Sequence, residues 1–225
     1  MRLTSLSRDT LMTICRTLLN GSRSFSEQPL LVQRLADVET ALALLISSLH
    51  FREETSQKLT TQVEAAQQAE DTLDTQVILL RKCLSYQSSI GDTAATSALQ
   101  SLFPKSSPSL HQCTGRPKLA RYEQLVPRLK DVSLPLLALE HAQQIQAGIR
   151  NFSEAMAAKE ILWLQQKTAI RGTQQAEETL KTALNQLEKA AASMLSEQDF
   201  QDWMAPVWTL TRKPARKPAE NTEKP

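Results

Sequence analysis

Four charged side chains, each interrupting a regular apolar pattern, are the residues best placed to do chemistry. Arg52 and Glu70 interrupt a first pattern, and Lys159 and Glu177 interrupt a second. Such charges are tolerated inside a helical interface when they pair, because an unpaired buried charge is strongly destabilising. We predict the ion pairs Glu70–Lys159 and Arg52–Glu177, with the structural role of penalising slipped alignments of the two patterns.

The histidines and cysteines do not form a metal-binding motif. Helical di-metal sites place a Glu three residues before a His, and none of His50, His111 and His141 has one. His111 and Cys113 offer two ligands within three residues, whereas a structural zinc site needs four. We therefore predict neither a metal nor a cofactor.

Catalytic motifs are also missing from the sequence. It contains no Gly-rich phosphate loop and no nucleophile elbow, and its 225 residues include only five glycines. We predict that the chain is not an enzyme, and we identify no small-molecule substrate.

The last fifteen residues, TRKPARKPAENTEKP, carry a second set of charged candidates. Arg212, Lys213, Arg216 and Lys217 are candidates for contacts with the phosphates of nucleic acid or of anionic lipid. Glu220 and Glu223 dilute this charge, so the alternative is a disordered, solubilising tail.

The four charged residues that interrupt the apolar patterns, here called the seam charges, must be positioned by long helices. From Leu35 to Leu84, apolar residues recur at alternating spacings of three and four, and the same phase recurs from Ala142 to Ala191. This is a heptad pattern. The strings QQAEDTL (67–73) and QQAEETL (174–180) match at an offset of 107 residues, so the pattern indicates an internal duplication.

The predicted fold is all-α, with two long helices packed antiparallel as a coiled-coil hairpin and short accessory helices beside them. The alternative is a four-helix bundle, in which each repeat folds back near Thr60-Thr61 or between Thr168 and Gly172. The uninterrupted phase favours the long helices, because tight turns usually leave a Gly, Pro or Asn cluster.

Pairing the seam charges predicts the register of the two helices. In an antiparallel pair, the numbers of facing residues have a constant sum. Glu70 facing Lys159 gives 229, and Arg52 facing Glu177 gives the same value. This register also aligns the ends of the two repeats.

Five segments follow from composition. Residues 1–26 form a short amphipathic helix, 27–90 the first repeat, 91–134 a Pro-containing basic connector, 135–202 the second repeat, and 203–225 a Trp-containing end with the tail. In the connector, we expect short helices at 93–103 and 118–131, with a kink at Pro127. Trp203 and Trp208 are expected to cover one end of the core. Cys15 and Cys83 are expected to be small core residues.

Targeting signals are ambiguous. Residues 1–26 contain four Arg and one acidic residue, Asp9, which fits either the amphipathic helix or a mitochondrial transit peptide. Three widely spaced cysteines do not suggest a disulfide framework, which favours a reducing compartment. Apolar runs are shorter than a membrane span requires. We predict a cytoplasmic protein, with a mitochondrial location as the alternative.

These features predict a helical scaffold or adaptor that acts through contacts with a protein partner or with itself. The first alternative is a weak nucleic-acid-binding protein that uses the basic tail and connector. The second is a membrane-surface protein that uses the N-terminal segment. The heptads resemble those of coiled-coil proteins in general, and the sequence resembles no specific family.

Overall fold

The computed structural model describes residues 6–21, 28–104 and 114–211, and within these ranges the secondary structure is entirely helical. The all-α prediction is confirmed. The seven helices of the described residues are α1 (Arg8–Gly21), α2 (Pro29–Ser89), α3 (Thr93–Leu102), α4 (Arg116–Glu123), α5 (Leu125–Asp131), α6 (Leu136–Met194) and α7 (Glu197–Thr211).

The two repeats form the long helices α2 and α6. Pro29 begins α2, where a proline is harmless because the first turn has no helical partner for its N–H groups. Neither Pro nor Gly occurs from Leu30 to Ile90. Helix α2 is continuous through Thr60 and Thr61, and α6 is continuous through Gly172. Neither repeat folds back, as the alternative bundle would require.

A tight turn ends α2 and starts α3. Gly91 has a φ of +93°, a conformation that a residue without a Cβ adopts at low cost. Asp92 then caps α3, because its Oδ1 accepts a hydrogen bond of 3.0 Å from the Ala95 N–H. Such a cap satisfies a donor that has no partner within the helix.

The chain divides into two compact units, each with its own core. Unit 1 comprises Met1–Arg52 and Ala169–Pro225, and unit 2 is Glu53–Thr168. Each unit therefore contains part of α2 and part of α6. No described helix is both long enough and apolar enough to cross a bilayer.

In unit 1, α1 and α7 pack against the segments of α2 and α6 that belong to this unit. The apolar face of α1 is fully enclosed, and the core also takes in Val38, Leu45, Leu180 and Met204. Trp203 and Trp208 are half-buried against this core. The rings of Trp208 and Phe200 meet edge to face with centroids 6.3 Å apart, so the two tryptophans cover apolar surface as expected.

In unit 2, the short helices α3, α4 and α5 cover the other parts of α2 and α6. Their buried residues Ala98, Leu102, Tyr122 and Leu129 join the seam residues of the long helices in one core. The predicted connector helices are therefore present. The break between α4 and α5 lies at Gln124 rather than at Pro127, which sits inside α5.

The predicted apolar seam is buried over most of its length but fails at two positions. Val63 is 41% exposed and Trp163 is 50% exposed, whereas their neighbours Gln62 and Leu162 are partly buried. Gln62 donates a hydrogen bond to the Ala155 carbonyl at 3.1 Å. A polar side chain that reaches the facing backbone thus occupies the place assigned to Val63.

The predicted register is wrong by about one heptad. In unit 1, Thr173 Oγ1 donates to the Ser48 carbonyl at 3.3 Å, and these residue numbers add to 221 instead of 229. In unit 2, Leu73 faces Gly148, which gives the same sum. A shift of one heptad preserves the apolar phase, so the phase alone does not distinguish the two registers.

Candidate functional site

A buried cluster of charges joins α4 to α2 in unit 2. The ammonium group of Lys118 lies 3.0 Å from Glu70 Oε1 and 2.6 Å from Asp74 Oδ2. The side chains of Lys118 and Glu70 are 5% and 6% exposed. At this depth, charges persist only as hydrogen-bonded pairs, so the cluster fixes α4 on the long helix.

The start of α4 is held by the same carboxylates. The Gly115 N–H donates to Glu70 Oε2 at 3.3 Å, and the Tyr122 hydroxyl donates to Asp74. Gly115 adopts a φ of +66°, which favours glycine at this entry into the helix. Arg116 forms an ion pair with Glu160 of α6, so α4 is tied to both long helices.

The electrostatics of Lys118 favour a structural role over catalysis. Burial is the largest influence and lowers its pKa, but the hydrogen bonds and charges of Asp74 and Glu70 together outweigh it, so the pKa is raised. A lysine that acts as a base or nucleophile needs a lowered pKa. Lys118 is instead held as a permanent cation.

A second cluster joins α1 to α6 in unit 1. Glu177 Oε2 accepts hydrogen bonds from Arg8 Nε at 3.2 Å and from Arg8 Nη2 at 3.1 Å. Its other oxygen lies 2.9 Å from the ammonium group of Lys181. The hydrogen bond from Lys181, followed by that from Arg8, lowers the pKa of Glu177 despite its burial. Glu177 thus accepts both cations and anchors α1.

The predicted ion-pair partners are wrong, although both predicted carboxylates do form ion pairs. Glu70 pairs with Lys118 rather than Lys159, and Glu177 pairs with Arg8 and Lys181 rather than Arg52. Among the described residues, Arg52 and Lys159 form no ion pair. Two of the three cations come from α1 and α4, outside the long helices whose spacing was used to choose the partners.

Some of these partners left a signal in the sequence. Lys181 follows Glu177 by four residues, the spacing at which helical side chains meet. Asp74 follows Glu70 by four residues and creates two adjacent negative charges that need a cation. Nothing local identifies Lys118 as the partner of Glu70 and Asp74, or Arg8 as a partner of Glu177, because each cation comes from a distant segment.

The two described cysteines lie in or beside the cores of the two units. Cys15 lies in the core of unit 1, and burial raises the pKa of its thiol to about 12, whereas a nucleophilic cysteine needs a lowered pKa. Cys83 is partly buried, and its sulfur is 3.9 Å from Gln87 Oε1. Both fit the predicted role as small core residues.

Other candidate residues lie outside the described ranges. These are His111 and Cys113 of the connector and the tail cations Arg212, Lys213, Arg216 and Lys217. Within the described part of the chain, no three His, Cys, Asp or Glu residues are grouped to hold a metal. A shallow depression in unit 2 is lined by one stretch of α2, from Glu64 to Thr75.

The arrangement pairs charged side chains of opposite sign from different helices. Its physical effect is to clamp accessory helices onto the long pair. Comparisons with family models, curated proteins and solved structures found no match to the chain.

Proposed function

We propose that this chain is a non-enzymatic helical scaffold or adaptor that acts through protein–protein contacts. The observation that carries the proposal is that the buried charges form ion pairs within the chain. The most deeply buried ones, in the Lys118 and Glu177 clusters, are engaged in internal ion pairs. They stabilise the fold, and the pKa of Lys118 is raised by its carboxylate partners rather than lowered as a catalytic lysine would need.

The outer faces of the long helices support the same proposal. Leu44, Leu79 and Leu164 are well exposed, although each belongs to an ordered helix. Tyr86 lies two turns after Leu79 on the same face and is 68% exposed. Large apolar side chains on a rigid helix lose little entropy when a partner covers them, which makes them effective contact residues.

Not every large apolar residue of the long helices is available for such contacts. Leu31 is buried, and Ile46 packs against the core of unit 1. The proposed contact surfaces are therefore confined to separate stretches of α2 and α6 and do not cover the whole helix.

The membrane-surface alternative gains no support from unit 1. The apolar face of α1, comprising Leu11, Ile14, Cys15 and Leu18, is buried in the core. Binding a bilayer through this face would require α1 to leave the core and to break the Arg8–Glu177 ion pair. For the nucleic-acid alternative, the tail cations on which it depends lie outside the described residues.

Photocrosslinking in cells tests the proposal. A photoreactive phenylalanine analogue replaces Leu44, Leu79 or Leu164 in separate variants, and the control carries it at exposed Gln68. We expect discrete protein adducts from at least one apolar position and none from position 68. Equal, diffuse labelling at all four positions would contradict a scaffold that uses these faces.

A further inference from the structure

An exposed apolar patch lies on α6 within unit 2. Ile161, Trp163 and Leu164 are 58%, 50% and 58% exposed, and they fall within a single turn of helix. Ile161 and Leu164 are three residues apart and lie side by side, and Trp163 flanks Leu164 on the side away from Ile161. Large apolar side chains grouped in this way are unusual on a surface that contacts only water. We call Glu160, Ile161, Trp163, Leu164 and Lys167 the α6 patch.

The charges of the α6 patch flank its apolar centre. Glu160 and Lys167 are seven residues apart, which is two helical turns, and Leu164 lies between them on the same face. The Lys167 ammonium group sits 3.4 Å from the centroid of the Trp163 ring, so this cation is held beside the apolar centre. Along α6, the patch therefore runs from Glu160, whose carboxylate is also paired with Arg116 of α4, through apolar side chains to the Lys167 cation.

Two copies of such a patch are complementary when they run antiparallel, because the acidic end of each copy then meets the basic end of the other. When two copies of the helix cross antiparallel about a two-fold axis near residue 163, Glu160 of each copy approaches Lys167 of the other. The same operation brings Trp163 opposite Leu164 twice. A two-fold interface requires this self-complementarity, because the same surface serves both subunits.

We propose that the α6 patch is a self-association surface whose partner is a second copy of this chain. The inference rests on the proposed function, because it assigns one partner to the scaffold. Opposite charges at the edge select the antiparallel orientation, and the apolar centre supplies the attraction. A parallel crossing would bring like charges together at both ends of the patch.

The neighbouring helix limits the size of this interface. Arg116 of α4 pairs with Glu160, and a Cβ added at Gly115 would lie 3.8 Å from the end of the Met156 side chain. The start of α4 thus occupies the preceding turn of α6. Contact is restricted to about three turns, which is small beside the roughly 1,200–2,000 Å² buried in stable complexes. We expect a weak dimer that dissociates on dilution.

Charge reversal provides the test. Glu160→Lys places two positive charges opposite each other at both ends of the interface, and Lys167→Glu places two negative charges there. We expect each variant alone to associate at least about tenfold more weakly than the wild type. An equimolar mixture restores both opposite-charge contacts, because each variant supplies what the other lacks. Sedimentation equilibrium over a range of concentrations measures all four samples.

The controls distinguish a loss of self-association from a loss of folding, and they distinguish failure of this proposal from failure of the scaffold proposal. Val32→Ser removes an exposed apolar residue of α2 that belongs to neither proposed contact surface, and it should leave association unchanged. Circular dichroism should show equal helicity in every variant. A wild type that stays monomeric at millimolar concentration overturns the proposal, as does a mixture that associates no better than its components. Adducts from other faces in the photocrosslinking experiment would then still support a scaffold.

Discussion

Two carboxylates share the Lys118 ammonium group inside the core of unit 2. Removing the cation leaves buried Glu70 and partly buried Asp74 close together and uncompensated, whereas in the intact cluster both carboxylates contact the cation and each also accepts a further hydrogen bond. Removing one member of a buried ion pair is strongly destabilising, whereas replacing the whole pair by apolar residues is often neutral or stabilising.

We expect Lys118→Met to lower the free energy of unfolding by about 3–5 kcal/mol, because the substitution keeps the apolar stem but leaves the buried Glu70 carboxylate and the partly buried Asp74 carboxylate without their cation. Urea denaturation followed by circular dichroism measures the change. The matched control is Lys58→Met, which removes a lysine whose partner Glu54 is equally exposed, at 61%. Exposed pairs are screened by water, so the control should not shift the midpoint measurably. Equal effects of the two substitutions would contradict a buried lock.

Glu177 makes stability depend on pH in a defined direction. Its pKa in the folded state is lowered from the ordinary value of 4.5. Its contribution is therefore complete above that value and is lost as the pH falls through the folded-state pKa.

The pH dependence is tested by comparing the wild type with Glu177→Gln between pH 7 and pH 3. We expect the wild type to be more stable at pH 7 and this advantage to shrink below pH 4.5. A difference that stays constant over the whole interval would show that ionisation of Glu177 is not the source.

At the scale of the helices, two glycines of α6 occupy different environments. A Cβ added at Gly172 would meet no atom within 4 Å, whereas one at Gly148 would lie 3.2 Å from Leu73 Cδ1 and 3.9 Å from the Leu73 Cα. Gly148 thus permits the close approach of α6 to α2 in unit 2, and Gly172 only weakens the helix.

We expect Gly172→Ala to raise the free energy of unfolding by about 1 kcal/mol, the difference in helix propensity between the two residues. Gly148→Ala should gain clearly less or become destabilising, because Leu73 must move to accept the methyl group. Thermal and urea unfolding of both variants give the comparison. A larger gain at position 148 would contradict the close packing there.

The heptad phase was enough to predict both long helices, because a repeated spacing of three and four residues specifies which side of a helix is apolar. It was not enough to predict their alignment. Sliding one helix by a heptad leaves the apolar phase unchanged, and the charges used to choose among registers have their cations elsewhere. Lys118 and Arg8 become partners only after α4 and α1 have packed, which no local spacing encodes.

Trp163 illustrates the same limit at the α6 patch. Its heptad position predicts burial, yet the ring is half-exposed beneath Lys167. Periodicity assigns a residue to the apolar side of a helix but does not say whether another helix covers that turn. In unit 2, the covering helix α4 begins beside Met156 and Glu160, just before Trp163.

At the scale of the whole chain, the long helices serve two separately packed units, and each unit has accessory helices tied down by its own ion-pair cluster. The charges that sequence reasoning assigned to the seam instead attach accessory helices to it. Both clusters therefore depend on the observed alignment of α2 and α6, since a slipped alignment would rearrange both cores.

Disulfide trapping tests that alignment most directly. In a background without the native cysteines, Ser48→Cys with Thr173→Cys places thiols on residues joined by a hydrogen bond in unit 1. The comparison pair, Ser56→Cys with Thr173→Cys, represents the register predicted from the seam charges, whose residue numbers add to 229. Under mild oxidation we expect rapid crosslinking of the 48/173 pair and slow crosslinking of the 56/173 pair. The opposite order would show that the helices adopt the other register and would contradict the account of both clusters.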